Sequence, residues 1–142
     1  MILIVDDDYD VASLIDVGVH KIGLTASFFT DPLLALEKFR ADSVNYDLVI
    51  SDVRMPVMNG YEFVKQIKKI RSSVKILLMS AFEYSNSENF LASEIEGFLE
   101  KPISLHKLNE TVLNCLGRGD SISHLTDPSS TNIATEHRWF YV

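Results

Sequence analysis

The sequence predicts an α/β fold: a doubly wound, five-stranded parallel sheet with five covering helices. Three observations carry that prediction. Short apolar runs alternate with segments of helical period, the runs are apolar at consecutive positions, and the connections between them are short. A strand with one face in water alternates apolar and polar residues, so an unbroken Ile/Leu/Val run implies burial on both faces, as in a parallel sheet between two helix layers. A strand–helix–strand repeat with right-handed crossovers closes into that arrangement.

The expected strands are Ile2 to Val5, Leu24 to Phe29, Leu48 to Ile50, Ile76 to Met79 and Gly97 to Leu99. After the first, Val11, Leu14, Ile15 and Gly18 recur at helical spacing, with Asp8 or Asp10 suited to cap the helix start. Asp31 followed by Pro32 opens the second helix. Phe63, Val64, Ile67 and Ile70 mark the third, on which Lys65, Lys68, Lys69 and Arg71 read as a solvated face. A fourth helix is expected where Ser85 and Glu88 can form a capping box ahead of Phe90 and Leu91, and its Ser- and Asn-rich composition predicts fraying. Ser104 caps the fifth, which carries Leu105, Leu108, Val112 and Leu116 on one face.

These elements place one domain at residues 1–117. Residues 118–142 form a Ser-, Thr-, Asp- and Gly-rich stretch without apolar period, ending near Trp139, Phe140 and Tyr141, and read as a flexible C-terminal tail. It is too short for a second domain, so no output module such as a helix-turn-helix is expected. At 142 residues and 46% hydrophobic content there is room for one real core. A net charge of −7 argues against direct nucleic-acid binding. One cysteine, Cys115, excludes an internal disulfide, and no leader-like stretch or apolar run near the ~20 residues of a membrane span is present. The expectation is a soluble cytoplasmic protein without membrane contact. The Asn109-Glu110-Thr111 and Arg118-Gly119-Asp120 triplets are chance motifs in such a chain, and His20, His106, His124 and His137 have no ligand-like spacing.

In open α/β sheets, ligands bind beyond the carboxyl ends of the strands. There the first strand is followed by Asp6, Asp7 and Asp8, the third by Asp52, the fourth by Ser80 and the fifth by Lys101. Carboxylates crowded together raise one another's pKa unless a cation neutralises them. Mg²⁺ suits such a sparse oxygen cluster, since it takes one or two carboxylates and leaves room for water and phosphate oxygens. A carboxylate can attack a phosphoryl group while a lysine offsets the charge of its oxygens, which fits Asp52 and Lys101.

These residues, read with their neighbours, resemble the response-regulator receiver family. The matching segments are Ile-Leu-Ile-Val-Asp-Asp at 2–7, Ser-Asp-Val-Arg-Met-Pro at 51–56 with Asn59-Gly60, Met-Ser-Ala at 79–81 and Phe-Leu-Glu-Lys-Pro at 98–102. The resemblance implies a flavodoxin-like strand order of 2-1-3-4-5. It implies Asp52 as phosphoacceptor, Asp7, Asp52 and the backbone carbonyl of Arg54 as direct Mg²⁺ ligands, and Asp6 acting through water, with Mn²⁺ able to substitute. Lys101 is implied to pair with Asp52 at rest and with phosphoryl oxygens afterwards. Ser80 is implied to supply a hydroxyl that moves to the phosphoryl group, and Phe98 to be the aromatic switch residue. A cis peptide before Pro102 is also implied, while Pro56 and Gly60 shape the loop after the third strand. The partners implied are a sensor histidine kinase or phosphotransfer protein as donor and a downstream protein target. That target would read the face made by the fourth predicted helix, fifth strand and fifth predicted helix; a homodimer is compatible with this. Catalysis in such a domain is self-directed, comprising its own phosphorylation and dephosphorylation. The competing reading is an interaction module indifferent to phosphorylation. A flavin-binding protein is disfavoured, because the acidic residues after the first strand would repel the cofactor's phosphate.

Overall fold

The structure is a computed structural model, and it describes residues 1–81 and 94–117. Five strands, β1 (Ile2–Val5), β2 (Ala26–Phe29), β3 (Leu48–Asp52), β4 (Lys75–Ser80) and β5 (Gly97–Glu100), form one sheet in the order β2-β1-β3-β4-β5. Every pairing is parallel. The doubly wound class and the expected strand order are therefore those observed. Four helices are described: α1 (Tyr9–Lys21), α2 (Pro32–Asp42), α3 (Gly60–Ile70) and α4 (Leu105–Cys115). Here α4 is the fifth helix of the sequence reading; the fourth, around Ser85–Leu91, lies outside the described residues, as do residues 118–142.

Successive strand residues point to opposite faces, and both faces are dry. Leu3, Val5, Val49, Ile76 and Leu78 join Ala35, Leu36 and Phe39 of α2 and Phe63, Val64 and Ile67 of α3 in one core. Ile2, Ile4, Leu48, Ile50, Leu77 and Met79 join Ala12, Ile15 and Val19 of α1 and Leu108, Val112 and Leu113 of α4 in the other. The unbroken apolar runs are thus read out two residues at a time, one to each helix layer.

Helix starts follow local chemistry. Asp8 Oδ1 accepts from the amides of Asp10 and Val11, Asp31 Oδ1 from Leu33, and Ser104 Oγ from Lys107. Asn59, expected as a turn residue, is also a cap: its Oδ1 accepts from Glu62 N–H at 2.9 Å. Several details depart from the sequence reading. Leu24 lies in the turn that closes α1 rather than in β2, its amide donating to Val19 C=O at 3.1 Å. Arg71, read as part of a solvated face, reaches across to the short 3-10 turn at Ser43–Asn45, donating to Ser43 C=O at 2.6 Å and to Tyr46 C=O. Lys68 likewise closes the end of α3 by donating to Ser72 C=O and Val74 C=O. Among the described residues, no helix is long and apolar enough to cross a membrane.

Gly60 fixes where α3 begins relative to β3. Its amide donates to Val53 C=O at 2.8 Å, and a Cβ there would lie 2.4 Å from the Asp52 carbonyl oxygen and 2.8 Å from Val53 Cα. Both obstacles are backbone and cannot rotate away. Ala is ordinarily about 1 kcal/mol better than Gly in a helix, yet Gly60→Ala is expected to lower the unfolding free energy by about 2 kcal/mol through overpacking. Urea denaturation monitored by circular dichroism checks the sign; a stabilised variant contradicts the close approach.

Candidate functional site at the carboxyl edge of the sheet

The parallel sheet delivers the ends of β1, β3, β4 and β5 to one edge. Asp52 and Ser80 are the last residues of β3 and β4, still within the ladder, while Asp6 and Lys101 directly follow β1 and β5. The ladder continues past the strands: Val53 N–H donates to Met79 C=O and Lys101 N–H to Ser80 C=O, both at 2.9 Å. These bonds tie the four side chains to one rigid frame.

One carboxylate oxygen from each of Asp6, Asp7 and Asp52 lies within 4.8 Å of the others. Asp6 and Asp52 are buried and Asp7 is exposed, so the cluster opens to solvent on one side. Lys101 Nζ sits between the buried pair, 2.9 Å from Asp6 Oδ2 and 3.2 Å from Asp52 Oδ1. The expected lysine–Asp52 contact is present, and a shorter one to Asp6 stands beside it. Asp6 Oδ1 accepts from Asp8 N–H at 2.9 Å, which turns the chain out of β1 and into α1.

The electrostatics follow from burial. Desolvation raises the Asp6 carboxyl above its ordinary value despite the Asp8 amide and Lys101. Asp52 is pushed up to about 6, first by burial and then by the charge of Asp6, with Lys101 only partly offsetting both. Burial works against the Lys101 ammonium, but its hydrogen bond to Asp6 and the two carboxylate charges prevail and raise its pKa. Three carboxylates thus face one ammonium. The donor set is all oxygen, carries excess negative charge and has an open side, and so fits a hard divalent cation such as Mg²⁺.

Ser80 Oγ is buried, with no hydrogen-bond partner among the described residues. Phe98 is half-buried against the α2/α3 core. The Lys101–Pro102 peptide is cis. Arg54 and Pro56 lie exposed in the β3–α3 loop, and Met55 beside them is buried. In that loop Met58 N–H donates to Pro56 C=O at 2.8 Å, closing a tight turn around Val57, which holds φ +73° with 81% of its surface exposed. A three-residue turn with its central residue at positive φ is rare and strained, a cost on the order of 1–3 kcal/mol. An exposed valine gives no sequence signal for this. Asn109 of the sequon-like triplet is fully buried, with its Nδ2 directed at Gly18 C=O, which removes it as a modification site.

The family model of the response regulator receiver domain matches residues 2–113. Among curated proteins, the autoinducer 1 sensor kinase/phosphatase LuxN of Vibrio campbellii is 30% identical over 122 residues, covering 86% of this chain and 14% of that protein. The Regulator of RpoS of Escherichia coli is 33% identical over 117 residues, covering 81% of this chain and 34% of its own length. The chain therefore spans between 14% and 34% of these relatives. Among solved structures, the response regulator protein TrrA of Thermotoga maritima, in complex with Mg²⁺-BeF, superposes with a TM-score of 0.72 at 29% identity, covering 80% of this chain and 96% of that one. A receiver domain from Clostridium thermocellum superposes at 0.76 with 21% identity over 85% of this chain and 97% of that one, a likeness of fold.

The Asp52 shift has a consequence for stability. Its folded value of about 6 exceeds the ordinary 3.8, so the folded state favours the protonated form. That contribution is complete below pH 3.8 and is lost as pH rises through about 6. Asp52→Asn, which stays neutral, is expected to be more stable than the native chain at pH 7.5 in chelator by on the order of 2 kcal/mol. The advantage should shrink to near zero at pH 4. Paired urea titrations at the two pH values measure it; a pH-independent difference contradicts the assignment.

Proposed function

This chain belongs to the response regulator receiver domain family, and from that premise we propose that it is a phosphorylation switch whose acceptor is Asp52. The observation that carries the reading is the buried Asp52 carboxylate, held 3.2 Å from Lys101 and clustered with Asp6 and Asp7 at the carboxyl edge of the sheet. Asp7, Asp52 and the Arg54 carbonyl are the direct ligands of Mg²⁺ or Mn²⁺ in this reading, with Asp6 acting through water. The bound cation supplies positive charge against the phosphoryl oxygens. The neighbour TrrA, solved with Mg²⁺-BeF, lends support to that choice of ion.

A carboxylate oxygen of Asp52 attacks the phosphorus of a phosphohistidine on a sensor kinase or phosphotransfer protein. The P–N bond breaks, its electrons return to the imidazole, which takes up a proton, and an acyl phosphate forms on Asp52. Lys101 then trades part of its carboxylate contact for a phosphoryl oxygen. Ser80, whose hydroxyl lacks a partner, turns to donate to another. Phe98 follows that movement, altering the surface around β5 and α4 that a downstream protein reads. Water later attacks the same phosphorus, the bond from phosphorus to the Asp52 oxygen breaks, and inorganic phosphate leaves with the Asp52 carboxylate restored. Because the relatives are several times longer than this chain, their sensor and regulatory outputs are not carried over.

Acetyl phosphate with Mg²⁺ is expected to add one phosphoryl group by intact mass, and Asp52→Asn to abolish it. An unmodified native chain, or an Asp52→Asn chain modified equally, defeats the reading. Ser80→Ala removes no hydrogen bond among the described residues, so its stability should change by less than about 0.5 kcal/mol. Its phosphorylation rate should fall about ten-fold or more, as when one donor to developing charge is deleted. A wild-type rate removes Ser80 from the role.

A further inference from the structure

The amino edge of the sheet, opposite the notch, holds a cavity of about 450 Å³ that reaches from Leu116, just past α4, to Gly23 and Thr25 before β2. Arg71 and Lys75 line it. Among the described residues both are bonded to neutral oxygens. Lys75 Nζ donates to Cys115 C=O, and the Arg71 guanidinium to Ser73 Oγ, Ser43 C=O and Tyr46 C=O. Asp47, the one carboxylate on the lining, is paired with the Met1 amine at 2.7 Å. Glu96, close enough to bear on the Cys115 thiol, accepts from Ile76 N–H through Oε2. Two cations thus line a cavity with no carboxylate bonded to either among the described residues, in a chain of net charge −7. The chain itself arrives at the rim. Gly117 holds φ +73° and its amide donates to Asn114 C=O at 3.1 Å, which turns the backbone off the axis of α4 directly beyond Leu116. Three residues on, Asp120 is the first carboxylate after Glu110, and three extended residues reach about 10 Å. From β4 to β2 the sheet passes β3 and β1, three strand spacings or about 14 Å. About five extended residues cover that span, the length of the segment 118–122.

We propose that the amino-edge cavity is the docking site of this chain's own residues 118–122, with the Asp120 carboxylate accepting hydrogen bonds from Lys75 and Arg71. In an extended segment Ile122 falls on the same side as Asp120, so one carboxylate and one apolar group enter together, the second against Leu24 and Leu116. A carboxylate bonded to lysine and arginine makes stronger hydrogen bonds than a carbonyl does, which favours the segment over water at these cations. The match to the receiver family model ends at residue 113, so the contact belongs to this chain and not to the fold it shares. It lies at the far edge of the sheet from Asp52 and requires nothing of the phosphorylation site.

The test is ¹H–¹⁵N NMR of the full chain. The heteronuclear NOE of the Asp120 amide should match that of the α4 amides in the native chain and in Lys75→Arg, which keeps the cation. In Lys75→Gln it should fall to the value of a synthetic peptide of residues 115–125. Because Lys75→Gln also loses the bond to Cys115 C=O, Asp120→Asn isolates the docking: it alters no residue of the described fold, yet it should displace the Gly23, Thr25 and Lys75 amide resonances. A peptide-like NOE at Asp120 in the native chain overturns the proposal, as do native Gly23 and Thr25 resonances in Asp120→Asn. An Asp120 NOE that collapses on dilution assigns the cavity to the segment of a second copy and overturns docking within one chain. If inorganic phosphate moves the Gly23 and Thr25 resonances while Asp120→Asn leaves them in place, the cavity takes a free anion and the proposal falls.

Discussion

The whole carboxyl edge is organised by one lysine between two buried carboxylates. At an effective dielectric of about 20, like charges less than 4.8 Å apart repel by roughly 3 kcal/mol or more, and Asp6, Asp7 and Asp52 form such a group. Lys101 holds Asp6 and Asp52 at 2.9 and 3.2 Å, yet a single ammonium cannot balance three carboxylates. The sheet prevents the obvious escape. Asp52 is locked in the ladder of β3, the Asp6 amide donates to Phe29 C=O at 3.1 Å, and Lys101 is bonded through its amide to β4. Their backbones cannot separate without breaking pairings, so burial, and after it the charge of Asp6, keeps the Asp52 pKa raised beside an open, acidic notch.

Most of this was legible in the sequence because a buried parallel strand leaves an unmistakable trace. All five runs became strands, and polar residues at or just beyond the ends of the first, third, fourth and fifth lie together at one edge of the sheet. The errors were of two physical kinds. Periodicity reads apolar side chains, so it ended the third and fourth strands before Asp52 and Ser80, although their backbones still pair. It also placed Leu24 in β2, since a leucine that closes α1 has the same hydropathy as one that begins a strand. Interactions carried by the backbone were not legible at all. The approach of Gly60 to the Asp52 carbonyl, the reversal at Val57 and the reach of Arg71 to Ser43 depend on where distant segments come to rest. Asn59-Gly60 announced a turn; only the folded chain shows that the asparagine caps α3 and that the glycine is required for clearance.

The two ends of the sheet are built on opposite terms. At the amino edge, charged groups are matched. The Met1 amine meets Asp47 at 2.7 Å, Lys75 donates to Cys115 C=O, and Arg71 donates to two carbonyls. Around the carboxyl edge the local rules are broken together: an excess of carboxylates, a buried hydroxyl without a partner at Ser80, and a β-branched residue at positive φ. Each of these is unfavourable alone, and a sequence shaped only by stability would have removed them, as it did at the other end. They share one remedy. A cation answers the carboxylates, and a group rich in acceptor oxygens answers the Ser80 hydroxyl and the Lys101 ammonium; both would sit against the loop that Val57 strains. These three features lie along a single edge, where the two ligands would answer them together.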